Sequence, residues 1–226
     1  MRSRRLRPSG GTVAVVVLAA VCIAQQPPVS RFELSAYATR DSHEGVTLAA
    51  KPYVSTAELE AVFGKHDLRG AGVVPVEILI VNERVEPIRV AWQRALLLSG
   101  EDKFELIEPE AIARRLYPPP KIELPRTWPE RRKKLPPDTK RTAREAAEAA
   151  LRSQHLQLSV IPGGGRARGF LYFDCGPESS WQSLVLAARL YVPEVVVLPS
   201  QQPLFYFEVE LSPYAKTALA GAKHEP

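Results

Sequence analysis

Between Pro118 and Pro137 the chain places seven prolines in PPPKIELPRTWPERRKKLPP. Proline fixes φ and removes a backbone donor, so this stretch cannot run inside a sheet. It reads as an extended, largely polyproline-II excursion, and the rest of the chain must fold around it. Its flanks read as helices. EPEAIARRLY predicts a short helix from Glu110 to about Tyr117. DTKRTAREAAEAALRSQ predicts a second, with Asp138 as a cap, Thr142 and Glu145 in a capping-box pattern, and alanines as strong helix formers. The apolar face of this second helix is Ala143, Ala146, Ala147, Ala150 and Leu151. Such a face approaches a neighbour closely but buries little.

On both sides of this interruption the grammar is that of strands. RFELSAYATR alternates Phe32, Leu34, Ala36 and Ala38 with mostly polar neighbours, and GVTLAAKPYV follows from Gly45; both predict strands. STAELEAVFG predicts a short helix, with Ser55 and Glu58 as a capping box, Leu59, Val62 and Phe63 on one face, and Gly64 to close it. GVVPVEILIVN and EPIRVAWQRALLL then read as two strands joined by NERVEP, with Ile88, Val90 and Trp92 on one side of the second. Trp92 is expected in the core. KFELI is a further short strand. After the excursion come HLQLSVIP, RGFLYFDC, SLVLAARLYVPEVVV and PLFYFEVELS. Phe205, Phe207 and Leu211 interleave with Leu204, Tyr206 and Val209, which suits a central strand. Seven to nine strands with few helices predict an antiparallel β-sandwich.

The N-terminus has its own logic. MRSRRLRPSGG carries Arg2, Arg4, Arg5 and Arg7 and no acid, and the apolar run Thr12 to Ala24 follows at 13 residues. A bilayer-spanning helix takes about 20. A basic n-region, a short h-region and small terminal residues predict a secretory signal peptide over residues 1–24. An uncleaved anchor is the alternative. Cys22 offers a lipid anchor as another, although the branched Val21 stands where a small residue is needed. SRRLR hints at a twin-arginine signal, but Arg7 and Pro8 occupy positions that should be apolar.

Export changes the charge balance. The chain has 30 basic and 25 acidic residues; without the four signal arginines the balance is +1. A protein-wide basic field, the footprint of a nucleic-acid binder, is therefore absent. Charge is segregated instead: Ala111 to Arg144 holds 11 basic and three acidic residues, or +8, which leaves about −7 for the rest of the mature chain. Arg126, Trp128, Arg131, Arg132, Lys133 and Lys134 are the candidate partner-binding residues. In an exported protein the matching partners are phospholipid headgroups, an acidic wall polymer or an acidic protein face. Trp128 suits a lipid interface, and serves equally to pin the arm to the body.

The chain has no His-Glu-x-x-His, no Gly-x-Ser-x-Gly and no Walker-type loop. PGGGRARG precedes a strand rather than a helix and reads as a hairpin turn. His43, His66, His155 and His224 lack paired-ligand spacing, so neither a metal nor a cofactor is expected. After cleavage Cys175 is the remaining cysteine, which excludes an intramolecular disulfide and predicts a buried or turn-edge thiol.

GVTLAAKPY, AELEAVFGK, GVVPVEILIVNE, RGFLYFD, ARLYVPEV and PLFYFEVEL together resemble a poorly characterised family of small exported bacterial proteins, over roughly Gly45 to Leu211. The resemblance implies an immunoglobulin-like sandwich with a helical insertion, and implies no reaction. VLPSQQPLFYF stands where that family has a more acidic, glycine-containing turn, so this loop is expected to be reshaped.

The expectation is thus a signal peptide at 1–24 and one immunoglobulin-like β-sandwich domain at 25–226, interrupted by a basic helical insertion at about 109–154. Its role is that of a non-catalytic protein of the periplasm or outer envelope, presenting the excursion to an anionic partner, with peripheral membrane contact and no nucleic acid. The alternative is an exported hydrolase or transferase with a site built from Asp41, Glu44 and Asp174.

Overall fold

The computed structural model describes residues 34–120, 138–176, 181–204, 206–214 and 216. The expected signal peptide, Cys22, and all six candidate residues from Arg126 to Lys134 lie outside the described residues.

The described chain is mainly β, in three four-stranded antiparallel sheets. The first sheet takes β1 (Arg40–His43), β2 (Val46–Pro52), β3 (Val73–Asn82) and β8 (Arg166–Asp174), in the order β1-β2-β3-β8. The second takes β4 (Ile88–Val90), β7 (Val160–Ile161), β10 (Val195–Val197) and β11 (Gln202–Pro203), ordered β11-β10-β4-β7. The third takes β5 (Leu96–Ser99), β6 (Asp102–Phe104), β9 (Ala188–Val192) and β12 (Phe207–Glu210), ordered β12-β9-β5-β6. Four helices that lie wholly within the described residues accompany them: α1 (Thr56–Phe63), α2 (Pro109–Leu116), α3 (Arg141–Gln154) and α4 (Trp181–Leu186).

β3 organises the molecule. Its sequence VVPVEILIVN is an almost continuous apolar run, and all ten residues are buried, as befits a strand covered on both faces. Pro75 is tolerated because its carbonyl faces Tyr53, whose N–H it accepts at 3.0 Å, just beyond the end of β2. On one face Val74, Val76, Ile78 and Ile80 join Leu48, Leu171 and residues of the other two sheets in the main core. On the other face Leu79 and Val81 join Ala49 and Tyr37 in a small satellite cluster. Each fully buried large apolar side chain contributes roughly 1.5–3 kcal/mol.

The first and third sheets meet along both edges. Past β6 the chain pairs with β8: Ile107 donates to the Tyr172 carbonyl and Asp174 to that of Glu105, both at 2.9 Å. At the opposite seam the Asp41 carboxylate accepts the Glu208 N–H at 2.9 Å. β12 is therefore an edge strand whose outward donor is met by a side chain, not the central strand its two-sided apolar pattern suggests.

α1 forms as its sequence predicts. Ser55 accepts the Glu58 N–H at 3.2 Å and returns its hydroxyl to the Glu58 carboxylate at 2.9 Å, and Gly64 ends the helix at φ 65°. α3 starts differently. Lys140 occupies the cap position without a side-chain bond, and Thr142 is exposed. Ala147 and Leu151 are buried, whereas Ala143, Ala146 and Ala150 face solvent, so the buried stripe is one residue pair wide.

Three strand expectations need correction. Residues 34–39 are not strand: Tyr37 turns back on the Leu34 carbonyl at 3.2 Å, which puts both side chains on the satellite cluster, and β1 starts only at Arg40. EPIRVAWQRALLL is broken by a 3-10 turn at Trp92–Arg94, so β4 and β5 belong to different sheets. Trp92 is buried, donating its indole N–H to the Leu158 carbonyl at 2.9 Å. SLVLAARLYVPEVVV begins in α4 and then divides at Pro193 between β9 and β10.

Candidate partner-binding site at the root of the basic excursion

The described residues include both feet of the proline-rich excursion. α2 leads out to Tyr117 and α3 takes the chain back in after Asp138. Pro109 opens α2 at its first position, where no donor is needed, and Ile112 and Ala113 are buried beside Ala147 and Leu151 of α3. Several contacts fix this helix pair to the body. The Tyr172 hydroxyl donates to the Leu151 carbonyl at 3.0 Å, Gln154 donates to that of Val62 at 3.1 Å, and Arg115 donates to Asp174 at 2.7 Å.

Arg144 joins the two feet. Its Nη1 donates to the Tyr117 carbonyl at 3.0 Å, where the chain leaves, and its Nη2 binds the Asp138 carboxylate, where it returns. Asp138 also accepts the Lys140 N–H at 3.2 Å. These bonds, the Arg144 pair first, hold its carboxyl below the usual range. The Tyr117 ring is steadied by His66, whose Nδ1 lies 3.1 Å from its hydroxyl. Asp138 thus acts as an anchor for Arg144 rather than as the helix cap its sequence position suggests.

Three carboxylates of the root helices are paired within their own helix. Glu110 pairs with Arg114 at 2.6 Å, Glu145 with Arg141 at 3.5 Å, and Glu148 with Arg152 at 2.5 Å, each one helical turn apart. Arg115 takes both oxygens of Asp174, which holds that carboxyl below its usual range. The same two residues line an open cavity of about 510 Å³ with Gly70, Ala71 and Gly176, so its charges are spent on each other.

The dispersed acids do not converge. Asp41 stands level with Ile80 of β3 and Asp174 level with Val73, a rise of about 23 Å along the strand. Glu44 lies at the Asp41 end, in the turn at φ 45° before β2. Asp41 holds His43 at 2.9 Å and the seam N–H of Glu208. Cys175 is buried, and burial first, then the Asp174 charge, pushes its thiol up to about 12, far from a nucleophilic thiolate. Among the described residues no group of three His, Cys, Asp or Glu could hold a metal.

One polar constellation escaped sequence reasoning. Glu77, in the middle of β3, is 6 % exposed. Arg168 binds it at 2.7 Å, and the Tyr53 hydroxyl donates to it at 3.2 Å. Burial first, then the Glu77 charge, pushes the Tyr53 hydroxyl up to about 12. The Tyr37 hydroxyl is also buried there; it lies close enough to Glu77 to feel its charge but makes no aligned hydrogen bond among the described residues, and desolvation raises its ionisation further still. The signal was a lone acid in an otherwise apolar strand, but its partners arrive from 24 and 91 residues away.

No known family model matches the chain, and no curated protein matches it. Among solved structures it is similar to a functionally unknown protein from Listeria monocytogenes EGD-e, at 16% identity and a TM-score of 0.33, over 68% of this chain and 70% of that one. It is also similar to a candidate lipoprotein from Bacillus subtilis, at 14% identity and a TM-score of 0.36, over 81% of this chain. The match spans 41% of the lipoprotein's length. These neighbours are uncharacterised bacterial proteins, and likeness at this level assigns the chain to no family.

Proposed function

We propose that this chain is a non-catalytic protein of the cell envelope, exported through its N-terminal signal, whose immunoglobulin-like body presents a basic proline-rich excursion to an anionic partner. The observation that supports this reading is the pairing at the root. Asp138, Asp174, Glu110, Glu145 and Glu148 are each matched by an arginine of the root helices. Between Lys121 and Lys134 the sequence holds six cations against Glu123 and Glu130. That surplus of charge is matched to the anionic surfaces an envelope offers: headgroups, wall polymer or an acidic protein face.

The test replaces Trp128 with a photo-crosslinking residue in the exported full-length protein and identifies what it captures in intact cells. Capture of an anionic lipid, a wall polymer or one particular protein, lost when Arg131, Arg132, Lys133 and Lys134 become glutamine, supports the reading. Capture of the protein's own body alone, unchanged by that neutralisation, overturns it and makes the excursion a strap.

A further inference from the structure

The third sheet has an inner and an outer face, and strand register decides which residues share each. Leu97, Phe104, Leu190, Val192, Phe207 and Val209 point into the main core. Their alternate neighbours therefore point out. Pairing sets Glu210 beside Arg189, Arg189 beside Leu98, and Leu98 beside Lys103, so these four form one row across β12, β9, β5 and β6. The next row is Glu208, Tyr191 and Leu96. Tyr206 follows just before β12, 52 % exposed, with its ring 5.5 Å from that of Tyr191. Leu96, Leu98 and Tyr191 are partly buried, yet among the described residues they join neither core cluster.

The charges on this face are placed unevenly. Arg189 pairs with Glu208 in the adjacent row. Glu210 and Lys103, both exposed and at the two ends of the first row, make no ion pair among the described residues. Three strand spacings, about 14 Å, keep them apart within one molecule. The face thus has an apolar and aromatic centre, one closed ion pair, and an unpaired charge of opposite sign at each edge. Two acids and two bases leave it neutral.

That arrangement is complementary to itself. A twofold axis lying in the face, parallel to the strands and between β9 and β5, lays β5 of one copy on β9 of the other, and β6 on β12. Lys103 then meets Glu210 of the second copy, and Glu210 meets its Lys103. Leu98 lies on the alkyl stem of Arg189, and Leu96 on Tyr191. Sheets packed in this way stand about 10 Å apart and cross at about 30°, an offset that the long side chains at the two edges absorb. An apolar centre with charges at the rim is also how protein interfaces are built.

We propose that the outer face of the third sheet is the contact surface of a symmetric homodimer, in which two Lys103–Glu210 pairs set the register. Four strands by three rows span only about 14 by 14 Å, so the dimer belongs with small, reversible interfaces. The inference goes beyond the envelope role proposed above and does not rest on it.

Sedimentation equilibrium of the purified exported protein at low salt tests it. The expected result is a monomer–dimer equilibrium with a dissociation constant on the order of 100 µM. K103E or E210K alone opposes like charges at both ends of the contact and should weaken association about tenfold or more, with the thermal unfolding of the monomer unchanged. An equimolar mixture of the two variants brings unlike charges together at both ends, so heterodimers should form with nearly the parent's affinity. L96N, which leaves the charges in place, should weaken association about fivefold. A chain that stays monomeric to millimolar concentration overturns the proposal. So does a dimer that neither charge variant weakens, or a pair of variants whose mixture fails to recover. A dimer lost instead when Arg131, Arg132, Lys133 and Lys134 become glutamine puts the excursion at the contact and overturns it as well.

Discussion

β8 carries an arginine–carboxylate pair near each end, and the two pairs do different things. Both are held at 2.7 Å. Arg168 reaches in to Glu77, whose side chain is 8 % exposed, whereas Arg115 reaches across to Asp174, which is 37 % exposed. The chemistry is the same and the solvent is not. A buried carboxylate is tolerable only while its partners stay, because an uncompensated interior charge has nowhere to be hydrated. An exposed pair is screened by water and contributes little to stability, so its use is to hold α2 in register with the end of the sheet.

Substitutions along β8 test how far that contrast extends. Arg168→Ala strands Glu77 and should cost about 3–5 kcal/mol in chemical denaturation, whereas the double variant Glu77→Leu/Arg168→Met should recover nearly all of it. A cost below about 1 kcal/mol for Arg168→Ala would break the contrast, since Glu77 would then have found water. Tyr53→Phe takes one donor from Glu77 and should cost about 1.5 kcal/mol. Tyr37→Phe should run the other way. Its buried hydroxyl makes no aligned hydrogen bond among the described residues, so removal should leave stability unchanged or raise it by up to about 1 kcal/mol, read as a higher Tm.

The smallest effect belongs to the exposed pair. Arg115→Gln should cost less than about 1 kcal/mol at neutral pH. The folded-state carboxyl of Asp174 is held below its unfolded value, first by its hydrogen bond from Arg115. The pair therefore contributes above the usual carboxylate range and loses that contribution as pH falls through the folded value. Denaturation midpoints of the parent and Arg115→Gln should thus differ at pH 7 and converge in acid. A difference that persists in acid would mean that Arg115 acts through packing instead.

The same contrast explains what could be read in the sequence. Ser55, Glu58 and Gly64 specify α1 because capping is settled within a few residues of chain. β3 was legible because burial on both faces leaves a long apolar run. The break at Trp92–Arg94 was not, because alternation records which side a residue faces and not which sheet its neighbours join. Six residues of α4 are too few to separate a period of 3.6 from a period of two. In the candidate site, helix formation around the excursion was legible from alanine and proline. Arg144 bridging Tyr117 to Asp138 depends on residues 27 and six positions away meeting at one guanidinium, and nothing local in the sequence records it.

That bridge has a consequence for how the protein can change over time. Because the two feet of the excursion are joined at the base, the body is insensitive to how much chain lies between them. Closing a flexible loop of doubled length costs only about 0.6 kcal/mol more. Lengthening, shortening or wholesale exchange of the segment between Tyr117 and Asp138 should leave the sheets folded. The body becomes a mount on which lineages, or engineers, can exchange one connecting segment for another.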